Sequence, residues 1–220
     1  MTLPEKFFKE ETVSACDAFD GQASSARCRL ETSDVPDVTI PAELENFFEN
    51  SPIALTLASP ADDTPLFLIN RRFLELTGYA RQDLLHRNCR VLQRDADDRE
   101  ARAKLRAFLA DDTIANVRTP IINFKKDGTP FVNLLYMSRL RALSGETRFI
   151  FASQFDISRA QPERLQAYDQ DLGQTLTRLS PVAAESGIIV EGTLTTVANS
   201  AHAIAQAKLI LANLDDSSIL

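Results

Sequence analysis

The residues best equipped for chemistry lie in one stretch, Asn88-Cys89-Arg90-Val91-Leu92-Gln93. A thiol, a guanidinium and two amides put a nucleophile, a cation and several hydrogen-bonding groups at one spot. On a helical turn Cys89 and Gln93, four apart, share a face. Asn88 and Arg90 flank that face, within reach of the rim of a ligand lying across it. A lone cysteine in an apolar segment is usually a small buried hydrophobe, but here the polar escort makes a binding or covalent role the stronger reading. The other thiols, Cys16 and Cys28, stand where nothing else carries chemistry. Three sparse cysteines fit a reducing cytoplasm, the expected location. With His86 and His202 they match no metal-site spacing.

The elements that must position this stretch follow from periodicity and turn chemistry. Residues 1–41 form an N-terminal extension, partly helical or disordered, in which Phe7, Phe8, Val13 and Phe19 suit one amphipathic helix. A helix is expected from Pro41, with Leu44, Phe47 and Phe48 on one face. Strands follow at 53–58 and 66–69, separated by a polar turn. Asn70 is placed to cap a helix over 71–76 that stops at Thr77-Gly78-Tyr79. A short helix over 80–85 leads into the cysteine stretch, and a charged helix spans 99–109, with Ala101, Leu105, Phe108 and Leu109 inward. Three β-rich runs close the domain at 119–124, 130–140 and 147–156, joined by turns at Lys126-Asp127-Gly128 and Ser144-Gly145-Glu146.

Beyond residue 157 the pattern is helical. Leu165, Tyr168, Leu172, Leu176 and Leu179 form a heptad-like stripe, and Ser180-Pro181 is expected to open a new helix. A second stripe runs through Leu194, Val197, Ala201, Ile204 and Leu211. The stretch 158–220 is too short for a kinase ATP-binding domain, and His202 lacks the acidic or arginine neighbour of a phospho-acceptor helix. A net charge of −7 and a pI near 4.9 exclude a general nucleic-acid or anionic-membrane surface. No apolar run approaches the ~20 residues of a membrane span.

The central stretch resembles the G-x-N-C-R-F-L-Q signature of LOV domains, the flavin-binding blue-light sensors of the PAS superfamily. His86 replaces the glycine and Val91 the phenylalanine, while Asn, Cys, Arg, Leu and Gln keep register. The resemblance includes Phe73-Leu74-Glu75-Leu76-Thr77-Gly78-Tyr79, and the order of two strands, short helices and three strands is that of a PAS domain. It implies an α+β fold with a five-stranded antiparallel sheet over residues 42–157. The cofactor implied is FMN, held by Asn88, Arg90, Gln93, Arg106, Asn123, Asn133 and Gln154. Asn123, Asn133 and Gln154 are amides on strands, the first two between apolar neighbours and the third between Ser153 and Phe155. Burying an unpaired amide costs on the order of 1–3 kcal/mol, so three together ask for a polar ligand. Arg90 and Arg106 match the family's phosphate arginines, whereas Arg102 and Lys104 read as a solvated helix face.

The mechanism implied is that blue light excites the flavin and Cys89 bonds through sulfur to ring carbon C4a. N5 gains a proton, Gln154 turns to follow it, and the adduct reverts in the dark. Val91 and His86 are expected to tune that adduct, Val91 by leaving a looser pocket beside the ring. The chain resembles the short LOV proteins of bacteria, which implies no enzymatic turnover and an unidentified downstream protein partner. Residues 158–220 are then a helical extension that pairs two copies into a homodimer. Two other readings stay open: a flavin-binding redox sensor or small flavoenzyme with a redox-active Cys89, and a PAS interaction module without flavin.

Overall fold

The computed structural model describes residues 40–61, 63–191 and 200–217. The expected N-terminal helix, Leu194 and Val197 lie outside these residues. The chain forms α1 (Ala42–Glu49), β1 (Ala54–Ala58), β2 (Leu66–Ile69), α2 (Arg71–Thr77), α3 (Arg81–Leu84), a 3-10 turn (Cys89–Leu92), α4 (Arg99–Ala110), β3 (Asn116–Phe124), β4 (Pro130–Ala142), β5 (Thr147–Asp156), α5 (Pro162–Glu185), β6 (Ile188–Val190) and α6 (Ser200–Ser217). The strands form one antiparallel sheet in the order β2-β1-β5-β4-β3, with β6 beside the far end of β4.

Alternation along the strands sorts residues onto two faces. One face looks toward α4 and the cysteine turn. The other carries Phe151 and Tyr136, and Phe151 meets Phe48 of α1 edge-on at 5.8 Å. On that same side Phe155 stacks on Tyr168 of α5 at 4.5 Å.

Asn70 ties three elements together. Its Oδ1 accepts from Phe73 N, capping α2, and from Leu55 N in β1. Its Nδ2 donates to Phe48 O and Ile53 O. The capping role was legible in the sequence, but the other three bonds come from segments 15 or more residues away. Arg139 does similar work at the end of α4. It is 3% exposed, donates to the carbonyls of Phe108, Asp111 and Ile114, and covers the Phe108 ring. Its guanidinium thus satisfies carbonyls that a helix end leaves without partners.

Residues 42–157 hold the five antiparallel strands expected, and a sixth is added from outside that span, where the segment after α5 turns at Gly187 (φ +67) and returns to pair Ile188 with Ala142. Three expectations are corrected. Pro181 does not open a helix: α5 runs through it, since Leu179 and Ala183 are both fully buried on the continuing face. A proline removes only one backbone bond and kinks a helix, and here that burial carries the helix one more turn. Leu109 is 39% exposed and lines a cavity rather than packing into the core. Finally, the stripe of Leu165, Tyr168, Leu172, Leu176 and Leu179 is buried within the chain itself, so a homodimer has to draw on another surface.

Asn70→Ala should lower stability by about 3 kcal/mol, because buried partners left without a bond each carry a desolvation penalty. Urea unfolding of the variant checks this; a loss below about 1 kcal/mol would contradict the four-bond role.

Candidate functional site

Between the sheet and the α4 side of the molecule lies a cavity of about 350 Å³. Its floor follows from strand alternation. Thr56 and Ala58 face it from β1, Ile121 and Asn123 from β3, Asn133, Leu135 and Met137 from β4, and Ile150, Ala152 and Gln154 from β5. In each strand these are every second residue, so one face of the sheet supplies the floor. The roof comes from Asn88, Cys89, Arg90 and Gln93 of the turn and Arg102, Leu105 and Arg106 of α4. All eight residues singled out in the sequence line this one cavity. A larger cleft of about 790 Å³ runs between α6 and β3, but it holds neither a thiol nor a buried amide side chain.

The cysteine stretch is a 3-10 turn rather than an α-helical one. Asn88 caps it, its Oδ1 accepting from Arg90 N at 2.8 Å. Its Nδ2 donates to Thr64 Oγ1 at 2.8 Å and to Asp63 O at 2.5 Å, so Asn88 also ties the turn to the β1–β2 loop. Arg90 is ion-paired with Asp63. Burial pushes the Cys89 thiol from its ordinary 9.0 up to about 12, because a thiolate is poorly solvated by apolar surroundings. The folded pKa is raised, so this group's contribution to stability is complete below pH 9.0 and is lost as pH rises toward about 12.

The strand amides are not equivalent. Asn133 Nδ2 donates to Asn123 Oδ1 at 2.9 Å, Asn133 Oδ1 accepts from Phe155 N, and Asn123 Nδ2 donates to Ile122 O. These two therefore satisfy one another and the backbone, which the sequence argument for three unpaired amides did not foresee. Gln154 differs. Its Nε2 donates to Thr56 Oγ1 at 3.1 Å, while its Oε1 is buried with no hydrogen-bond partner. Thr56 carried no signal in the sequence, since a threonine in an apolar strand is unremarkable until its neighbour is known.

Two further positions differ from expectation. Arg102 is not simply solvated: it lines the cavity, is half-buried, and its Nε is enclosed without a partner. Lys104 does stay exposed, paired with Glu100. Val91 packs against the core cluster that includes Phe73, Leu84 and Leu92 and is absent from the cavity lining. A larger residue there would press on the core instead of tightening the pocket.

A twisted antiparallel sheet folded around a ligand-sized cavity is the arrangement of PAS domains, and a family model described as a PAS domain matches residues 52–159. Over 119 residues the chain is 35% identical to blue-light-activated histidine kinase 1 of Erythrobacter litoralis, covering 54% of this chain and 32% of that protein. Over 96 residues it is 42% identical to the blue-light-activated histidine kinase of Rhizobium johnstonii, covering 44% of this chain and 27% of that one. It shares the fold of the Rhodobacter sphaeroides LOV protein, with a TM-score of 0.58 at 23% identity, over 79% of this chain and 95% of that one. Residues 52–159 are thus a PAS domain, similar in sequence to these blue-light-activated proteins. It spans about a third of the length of the curated relatives it matches.

The geometry also explains the glycine of the family signature. His86 sits at φ +61, in the left-handed region that favours glycine. His86→Gly should stabilise the fold by up to about 1 kcal/mol, the relief of left-handed strain outweighing the entropy cost of glycine. Thermal unfolding decides it, and a lowered Tm would show that the His86 side chain earns its place by contacts.

Proposed function

We infer that this chain is a blue-light photoreceptor that binds FMN and forms a reversible bond between Cys89 and flavin carbon C4a. The observation that carries this reading is the meeting in one cavity of Cys89, Gln154 with an unpartnered carbonyl, and three arginines at the α4 side. The residues fit a flavin. Apolar walls from Leu66, Leu105, Leu135 and Ile150 suit an aromatic ring, and the strand amides suit a pyrimidine edge that alternates donors and acceptors. Arg102 and Arg106, with Arg90, suit a phosphate, which planar guanidinium groups bind bidentately. When bound, a flavin absorbs blue light and becomes reactive at C4a.

The chain's own residues supply the rest. Cys89 provides sulfur for the new bond, and its proton passes to N5. The raised pKa keeps that proton on sulfur in the dark, so the thiol is a proton source and not a standing thiolate. Gln154 reports the change at N5, since an edge that becomes a donor requires a facing acceptor. The neighbouring Ser153 points to the opposite face, where its hydroxyl meets Tyr168 Oη at 2.5 Å. A rearrangement of Gln154 therefore has a direct covalent neighbour bonded to α5, and α5 with α6 is the output we assign. The role is sensory, without catalytic turnover.

Cys89→Ala should retain flavin and lose reversible bleaching under blue light, read from the absorption spectrum; full bleaching with normal recovery would overturn the reading. In the unmutated chain, the extent of bleaching should be flat from about pH 6 to about pH 10, because the thiol titrates above that window. A yield that climbs with pH through 8–9 would point to thiolate redox chemistry.

Replacing Arg102 and Arg106 together by glutamine should weaken FMN binding at least tenfold and leave riboflavin binding within about threefold, because charge-assisted bonds to phosphate are the strong ones. Fluorescence titration of the apoprotein measures both, and equal losses for the two ligands would misplace the phosphate.

A further inference from the structure

We propose that Thr56 is the pivot on which the Gln154 amide turns, a positioning residue that holds Gln154 in either of two opposite orientations. The proposal rests on the photoreceptor reading above and adds a residue to it.

Thr56 and Gln154 are each 2% exposed and both line the cavity. On the paired strands Thr56 stands opposite Ala152, and Gln154 opposite Ala54. The two are thus diagonal neighbours on one face, and the small Ala152 leaves room for the longer side chain to cross. The Nε2–Oγ1 distance is 3.1 Å, and Gln154 Oε1 is left buried and unpartnered.

An amide turned by 180° fills the same volume with its donor and acceptor exchanged. Most partners tolerate only one of the two orientations: a carbonyl accepts only from the NH₂, and a backbone N–H donates only to the oxygen. A hydroxyl is a freely rotating donor with two lone pairs. Thr56 therefore accepts from Nε2 in one orientation and donates to Oε1 in the other. In the first, the amide carbonyl faces the cavity and meets a donor there; in the second, its NH₂ faces an acceptor.

These are the two demands that N5 makes. With a flavin bound, Gln154 would present its NH₂ to an unprotonated ring nitrogen in the dark. Once Cys89 had given its sulfur to the ring carbon and its S–H hydrogen to that nitrogen, Gln154 would present its carbonyl instead. Thr56 closes the far end of Gln154 in both states, so neither leaves a buried amide group unpaired. An amide midway through the turn has let go of Thr56. Losing the hydroxyl therefore destabilises both end states more than the barrier between them, and the turn becomes faster.

The full chain loaded with FMN tests this. Thr56→Val removes the hydroxyl at nearly constant shape and should speed dark recovery about tenfold, while Thr56→Ser stays within about threefold of the unmutated chain. With ¹³C in the glutamine side-chain carbonyl, the dark infrared spectrum of Thr56→Val should show the Gln154 carbonyl band at the higher frequency of a carbonyl without a donor. Thr56→Ser should restore it. In a Gln154→Leu background, whose apolar neighbour suits valine at 56, adding Thr56→Val should leave the recovery rate unchanged. Equal dark carbonyl bands in Thr56→Val and the unmutated chain, or a full additive effect in the Gln154→Leu background, would overturn the pivot while bleaching persists. Absence of reversible bleaching in the unmutated chain would instead overturn the photoreceptor reading, and the pivot with it.

Discussion

The pairing register of β1 with β5 is the constraint on which the rest of the molecule depends. With Ala54 opposite Gln154 and Thr56 opposite Ala152, one side of β5 presents Ile150, Ala152 and Gln154 to the cavity. The other side presents Phe151, Ser153 and Phe155 to the helices. A slip of one residue would exchange these sets and put aromatic rings into the cavity. Asn70 guards the register from the β1 side, since it holds Leu55 N, Ile53 O and the end of α1 at once.

Interiors are close-packed, so a cavity that is kept open has to be framed by groups that cannot collapse into it. Here the frame is polar. The Asn123–Asn133 pair stiffens the β3–β4 floor, and Asn88 fastens the cysteine turn to Asp63 and Thr64. The non-glycine residues with positive φ among those described are Asp63, Thr64, His86 and Arg94. All four sit in or beside the segments that carry the thiol and its arginine. Such conformations persist only where surrounding bonds over-determine them, and the network around Asn88 and Arg90 does so.

The signal route proposed above relies on the thinness of a single sheet. Adjacent residues of β5 face opposite sides, so Gln154 and Ser153 connect the cavity to α5 across one peptide unit. Tyr168 receives that connection twice, through its hydroxyl on Ser153 and its ring on Phe155, and Arg118 pairs with the adjacent Asp169 in a mostly buried contact. Burial pushes the Tyr168 phenol well above its ordinary value, so it stays a neutral hydrogen-bonding group. The stripe on α5 is thereby spent on its own domain.

The sequence by itself determined the element order from α1 to β5, the cap at Asn70, the turns at Gly128 and Gly145, and eight of the residues that line the cavity. These are local or periodic properties: a capping side chain, a residue needing φ > 0, an alternation of amides and apolar residues. It also carried the thiol and its neighbours, because their chemistry shows in residue type and spacing alone. Only the tertiary structure decided which amides are satisfied, since Asn123 and Asn133 find each other across a strand pair whereas Gln154 finds Thr56 from 98 positions away. It likewise moved Arg102 to the cavity and Val91 away from it, sent α5 through Pro181 and added β6. Each of these rests on a long-range partner competing with a local preference, and a contact between distant residues has no period by which a sequence can announce it.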